Sequence, residues 1–515
     1  MDQQDLEDPR RSGAAIVARN GVVAWVRIVG VLIAKLMTTR LLLEAMGVEA
    51  FGVYFAAISV ALLSGLLTSA MQITSLRAIS LQVNGEDEMA ELFSSLLGLH
   101  LLIALLIFSI GSTIGAWFIN STLGIPSHLV NAANFSFFCI LLAMTIGALL
   151  APYEAFLQSR ESFAVFSYLE ILREWLLVPT SYGLSFLKSG QLEVFAAITT
   201  GTSLATMLIG AWIAMRSYAV TRPRIKFFFN RKTFRSHGSL FSWNIAGSLS
   251  AAARNQGLPI IINVVGGPAA NAAYVVGNQI AAALRNFATS LPNVLAPRIY
   301  SRTGQGDLDG MLGLAFTACK VSMLVAVAFS VPLIFEMPTV LRAWLGRADP
   351  IIVFVASLML VNQLIDQTSA ATGIAHMAIG RLARFYIVAG GISLLMLPAA
   401  YLVGRATGDF RDVLFVALGF TVVIAILRVS LLEAHLPGAT RRWLSENVVP
   451  VLVASLAPIS LALCIVIVSA PTFARLVINS AACGILILVS SYAIALTPVE
   501  QEKFREVLRL NNGGV

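Results

Sequence analysis

Charge is scarce in this 515-residue sequence: 12% of the residues are Asp, Glu, Lys or Arg, where soluble domains carry about a quarter. Hydrophobic residues make up 57% and the mean hydropathy is +0.82, more apolar surface than a soluble fold can hide or a disordered chain would hold. Histidine is also sparse. The five (His100, His128, His237, His376, His435) are scattered without HExxH or other metal spacing, so no metal is expected. No GxxxxGK[ST] string is present, which excludes ATP hydrolysis by the chain itself, and Gly304-Gln-Gly306 is too short for a dinucleotide fingerprint. The four cysteines form no CxxC and lie in apolar runs, as small core residues do; no cofactor is implied. The polar start, Met1 to Arg11, has no cleavable signal pattern, so the first apolar stretch is expected to stay as an anchor.

What the chain has in abundance is apolar stretches of spanning length. They fall near 17–38, 50–72, 92–119, 132–152, 164–187, 192–215, 239–263, 270–296, 311–334, 350–373, 384–403, 412–433, 448–470 and 474–497. Each is about the 20 residues a helix needs to cross a bilayer. Runs such as Leu101 to Ile110 are continuously apolar, whereas barrel strands alternate. The expected fold class is all-α: a polytopic membrane protein of about fourteen helices. Basic residues gather on one side if both termini are cytoplasmic, with Arg10, Arg11, Arg77, Arg160, Arg298, Arg302, Arg441 and Arg442 among them. That placement accounts for the net charge of +8 without a nucleic-acid partner.

The longest polar interval, Arg216 to His237, alternates basic residues with Phe227, Phe228 and Phe229, as in a segment on an anionic leaflet that links two bundles. An internal repeat flanks it. Gly47-Val-Glu-Ala-Phe-Gly-Val-Tyr54 precedes an apolar run ending at Arg77-Ala-Ile-Ser80; Gly267-Pro-Ala-Ala-Asn-Ala-Ala-Tyr274 precedes one ending at Arg298-Ile-Tyr-Ser301. The organisation expected is a six-helix bundle over 1–215, a basic linker over 216–238, a second six-helix bundle over 239–433, and two added helices with a tail over 434–515. In repeats of this kind the substrate site lies between the halves.

Charged groups inside spans are costly and face protein or water-filled space. The candidate cavity cations are Arg27, Lys35, Arg254, Arg285 and Lys320. Asp366, the lone mid-span acid of its helix, is a candidate ion-coupling group or the counter-ion of a neighbouring Arg; Glu170, grouped with Arg173 and Glu174 at i, i+3 and i+4, is a second candidate or part of a structural pair. Arg40, Arg428 and Glu433 lie near span ends, where long side chains snorkel. Cations outnumber acids, and arginine's fork suits phosphate or pyrophosphate.

The string Thr39-Arg40-Leu-Leu-Leu-Glu-Ala-Met-Gly-Val-Glu-Ala-Phe-Gly-Val-Tyr54 resembles the one between the first two helices of bacterial polysaccharide flippases, within the multidrug/oligosaccharidyl-lipid/polysaccharide exporter superfamily. It departs from the family's usual Arg-x-Leu-Gly. Ala151 to Arg160 and Leu341-Arg-Ala-Trp-Leu-Gly346 look similar to the family as well. The resemblance implies a V-shaped pair of bundles that alternates between inward- and outward-open states. It implies a flippase, not an enzyme, in the bacterial inner membrane. The substrate would be polyprenyl-pyrophosphate-linked oligosaccharide for exopolysaccharide, capsule or O-antigen, and a polysaccharide polymerase and co-polymerase would be partners. The same architecture also suits an ion-coupled multidrug or metabolite antiporter of the multidrug and toxin extrusion type. A membrane polymerase or ligase fits less well, because the outer connections are no longer than about fifteen residues.

Overall fold

The computed structural model describes residues 9–64, 68, 71–72, 75–76, 78–79, 85–159, 163–228, 253–380, 382–498 and 500–502; side chains are described from Val29 onward. These residues are helical and include no strand. The principal helices are α1 (Pro9–Ser64), α2 (Glu86–Ile110), α3 (Val130–Ser159), α4 (Phe163–Gly183), α5 (Gln191–Ser217), α6 (Leu258–Ala288), α7 (Ser290–Gly304), α8 (Leu308–Phe335), α9 (Met337–Leu345), α10 (Pro350–Gln367), α11 (Thr372–Ile379), α12 (Gly391–Thr407), α13 (Phe410–Glu433), α14 (Val449–Val468) and α15 (Phe473–Ser490).

Among the described residues, eleven helices are long and apolar enough to cross a membrane. About fourteen spans were expected, and the difference lies in the counting: α1 and α6 each join two expected spans across a non-helical glycine, and α4, where a further span is expected, carries Glu170, Arg173 and Glu174 within its 21 residues. Residues 239–252 of the expected seventh span lie outside the described residues.

Both continuous helices turn at one glycine. Gly47 has φ 77° and ψ 172°; Gly267 has φ 75° and ψ −177°. This region is essentially closed to residues with a Cβ. These are the opening glycines of the two sequence repeats, and Tyr54 and Tyr274, seven residues on, are both buried. The repeat read in letters is therefore a repeat in backbone.

By contacts, the chain divides into two compact units, Met1–Ala272 and Ala273–Val515. The first packs through small residues: Ala56, Ala57, Ala61, Ala148, Ala155, Ala196 and Ala214 are at most 0% exposed, letting helix backbones approach as they do in membranes. Phe51, Phe93, Phe137 and Phe156 fill the interior beside them at 0% exposure, while Trp117, Leu208 and Trp212 lie on the outside. Gly52 marks the tightest approach, since a Cβ there would come within 1.9 Å of the Pro268 carbonyl oxygen. Alongside, Asn271 Nδ2 donates to Gly52 O at 3.0 Å, and Asn263 Nδ2 to Leu123 O at 2.7 Å. His100 is fully buried between Ala148 O (2.7 Å from Nδ1) and Ser75 Oγ (3.0 Å from Nε2). A carbonyl only accepts, so Nδ1 carries the hydrogen and the neutral ring accepts from Ser75.

The basic interval starts as a strap on α2. Arg224 N donates to Ser94 Oγ (3.0 Å), Ser95 Oγ donates to Phe227 O (2.9 Å), and the Arg224 guanidinium pairs with Asp87 (2.9 Å). Gly98 leaves room for the Phe228 backbone. Residues 229–238 of the interval lie outside the described residues.

In the second unit, α14 and α15 pack on α8 through Met323, Val327, Val331, Val451, Ala454, Cys483 and Ile487. Two buried ion pairs fasten this helix pair. Lys320 Nζ meets Glu500 Oε2 at 2.7 Å, and Glu336 receives Arg475.

Candidate functional site

The densest set of polar groups within spans of the second unit lies where α6, α10 and α13 supply Arg285, a run from Asn362 to Ser369, and Arg428. α10 is apolar enough to span, yet it places Asn362 and Asp366 one turn apart, with Gln363 and Gln367 on the adjoining stripe. Arg285, half-buried on α6, donates from Nε to Gln363 Oε1 at 3.1 Å. Arg285 has no ion-pair partner among the described residues, so its charge faces neutral amide groups. Asp366, in contrast, is paired: Arg428 Nη1 lies 3.1 Å from its Oδ1 and 3.4 Å from Ser369 Oγ. The alternative of a counter-ion to a neighbouring arginine is the arrangement seen.

The glutamines were not singled out by sequence. Gln367 is 0% exposed and Gln363 3%. Neither amide atom of Gln367, nor Gln363 Nε2, nor Asn362 Oδ1, has a hydrogen-bond partner among the described residues. A buried amide left unpaired costs about 1–3 kcal/mol, so such a set is stable only if water or a ligand's polar groups complete it. An uncompensated guanidinium beside unfilled amides is suited to hold an anionic, hydroxyl-rich group.

The other sequence candidates are dispersed. Arg27 and Arg254 lie on helical backbone, in the first half of α1 and in Ala253–Gly257, but their side chains fall outside the described residues. Lys35 is exposed on α1. Lys320 is 1% exposed, and its charge is met by Glu500, which also accepts from Thr317 Oγ1 at 3.0 Å. Burial pushes the Glu500 carboxyl up, but hydrogen bonds from Lys320 and Thr497 outweigh it and hold it below the usual carboxylate range. Glu170 is half-buried and engaged. Its neighbours Arg173 and Glu174 pair with each other at 2.7 Å, adjacent in sequence and not across a turn.

Sequence reading also missed Glu336, 0% exposed, between α8 and α9. Arg475 meets it from the first turn of α15, with Asn479 Nδ2 at 3.4 Å and Thr339 Oγ1 at 3.1 Å from its oxygens. The available signal was an isolated acid between two apolar helices, which demands a cation from elsewhere in the chain.

Eleven helices of spanning length among the described residues, two of them turning at a glycine, make this a multi-pass helical membrane protein. Solved structures with the same fold bear this out. An inward-facing multidrug resistance transporter of the MATE family, MOP superfamily, matches with a TM-score of 0.65 and 14% identity over 79% of this chain and 96% of that one. The lipid II flippase MurJ, in an inward closed conformation, matches with a TM-score of 0.68 and 13% identity over 92% and 98%. The eukaryotic MATE transporter AtDTX14 matches with a TM-score of 0.57 and 15% identity over 84% and 97%. No family model and no curated protein matches the chain. The fold is that of MOP superfamily transporters, as the polysaccharide-flippase resemblance implied.

Proposed function

We propose that this chain is a flippase for lipid-linked oligosaccharide, carrying polyprenyl-pyrophosphate-bound repeat units from the inner to the outer leaflet of a bacterial inner membrane by alternating access. The observation that carries the reading is Arg285: a cation within a span, set against neutral amides and lacking a counter-ion among the described residues. An anionic pyrophosphate or acidic sugar supplies the missing charge, and Gln363 and Gln367 the hydrogen bonds for sugar hydroxyls. Arg27, Lys35 and Arg254 are proposed to add to the cationic lining, with both termini cytoplasmic and the lipid tail left in the bilayer. Lys320 enters the proposal only through its pair with Glu500. A polysaccharide polymerase and co-polymerase would receive the product for exopolysaccharide, capsule or O-antigen. The likeness to the lipid II flippase over nearly the whole chain supports this choice.

The second reading is an ion-coupled antiporter of the multidrug and toxin extrusion type, favoured by the MATE structures of the same fold. The Asp366–Arg428 pair counts against it, because a cationic drug gains little from an acid already neutralised. Asp366 still serves either reading as a coupling group, if protonation releases Arg428; Glu170 is the second candidate.

The test is an Arg285→Gln strain. Complete lipid-linked repeat units should accumulate facing the cytoplasm, with loss of surface polymer at an unchanged level of protein in the membrane. Normal polymer export by Arg285→Gln, or new sensitivity to small cations with unchanged lipid intermediates, would sink the flippase reading.

A further inference from the structure

A second cluster of nitrogen donors lies in the same unit, at the end of α11 and α13 and apart from Arg285. His376, Ile379, Arg384, Phe385, Leu431 and His435 line a small recess. The chain builds it by stopping helices. Gly380, with φ 81°, ends α11 one residue after Ile379, and α13 gives way to a turn that carries His435. The His376 ring stacks on Phe385 at 4.4 Å between centroids, and its Nε2 lies 2.8 Å from Arg428 O. Because a carbonyl only accepts, His376 must donate there, which fixes its tautomer with Nδ1 as an acceptor. His435 is in the opposite condition: both ring nitrogens are occluded and neither has a partner among the described residues. The mouth is held by Arg384, which is exposed.

Among the described residues, the charged and titratable groups around the recess are His376, Arg384, His435 and Arg428, with Glu433 two residues before His435 and Tyr300 against the far side of α11. The Glu433 carboxylate is occupied by the backbone N–H groups of Gly438 and Thr440, at 2.6 and 2.8 Å. Among the described residues, no carboxylate lines the recess.

We propose that this recess binds a phosphate ester or diphosphate group. Arg384 supplies the permanent charge and His435 an N–H, while Ile379, Phe385 and Leu431 keep water from competing. The inference is independent of the substrate assigned to Arg285. The group has two sources, a soluble phosphate compound or the headgroup of an anionic phospholipid, and the test separates them.

The purified full-length chain is titrated with inorganic diphosphate, and retention of phosphatidylglycerol over phosphatidylcholine from mixed nanodiscs is measured by native mass spectrometry. Arg384→Gln should weaken binding about tenfold, Arg384→Lys should recover part of the loss, and His435→Gln should weaken it by a smaller factor. Arg441→Gln, an exposed cation outside the recess, should leave binding unchanged. Diphosphate binding that Arg384→Gln removes identifies a soluble source. Retention of phosphatidylglycerol that the same change removes, with diphosphate failing to compete, identifies a headgroup. The proposal is overturned if Arg384→Gln and His435→Gln bind both probes as the parent does, or if Arg441→Gln weakens binding as much as Arg384→Gln.

Discussion

Arg475 meets Glu336 at two points, with Nε 2.7 Å from Oε1 and Nη2 2.8 Å from Oε2, and so ties the start of α15 to the end of α8 across 139 residues of sequence. The remaining guanidinium nitrogen donates to the Ser469 carbonyl at the start of the preceding loop, so this one side chain also closes the α14–α15 connection.

Removing one partner of a pair this deep leaves the other charge uncompensated. Arg475→Leu should destabilise the protein by about 3–5 kcal/mol, and adding Glu336→Leu should recover much of that loss, because the apolar pair has no orphaned charge. Denaturant unfolding of the four proteins in one detergent checks it. Additive losses in the double variant would show that the two residues act separately.

The two turning glycines differ from Gly52 in why they must be glycine. A Cβ on Gly47 or Gly267 meets nothing within 4 Å, so the cost of Gly→Ala there is backbone conformation alone, about 1–3 kcal/mol each. At Gly52 the φ is ordinary, but the Cβ would strike the Pro268 carbonyl, which is backbone and cannot step aside. Gly52→Ala should therefore cost more than Gly47→Ala and should also disturb the Asn271–Gly52 hydrogen bond. Thermal midpoints of the three variants rank the effects; Gly47→Ala matching the parent would contradict the assigned turn.

Much of this architecture was legible in the sequence, because a bilayer imposes a length and composition on each element that folding context does not override. The repeat was legible for a related reason: only glycine tolerates the turn, so both copies had to keep the letter at position 47 and position 267. Partnerships across helices were not legible. Asp366 and Arg428 stand 62 residues apart, and Lys320 and Glu500 are 180 apart, with nothing local to announce either pair. Gln363 and Gln367 escaped notice because an amide in a span is cheap to write and becomes conspicuous only when burial shows it has no partner.

The Lys320–Glu500 pair makes the docking of the last helices acid-sensitive. Glu500 titrates below its ordinary value near 4.5 because Lys320 and Thr497 hold its charged form. A depressed folded pKa contributes stability that is present above the unfolded value and is lost as pH falls through the folded one. Stability should thus drop on the acid side of that value, with Lys320 left buried and unpaired, and Glu500→Gln should remove that part of the pH dependence while lowering stability at neutral pH. Unfolding midpoints of both proteins between about pH 3 and about pH 7 decide it; parallel curves would assign the acid sensitivity elsewhere.

Gln367 separates folding from transport most directly. Its amide is fully buried with both atoms unpartnered, so replacing it with an apolar side chain of similar length relieves a penalty of about 1–3 kcal/mol in the resting fold. If the amide exists to meet substrate, Gln367→Leu should unfold no sooner than the parent, and later if the relief is complete, while export of lipid-linked oligosaccharide falls about tenfold through the lost hydrogen bonds. Gln367→Glu should fail differently: its carboxylate would pair with a nearby arginine, repel an anionic group and weaken export further. Midpoints and export are measured on the same preparations. A leucine variant that exports normally would show that the Gln367 amide belongs to packing and would leave the proposed substrate site to its cations and Gln363.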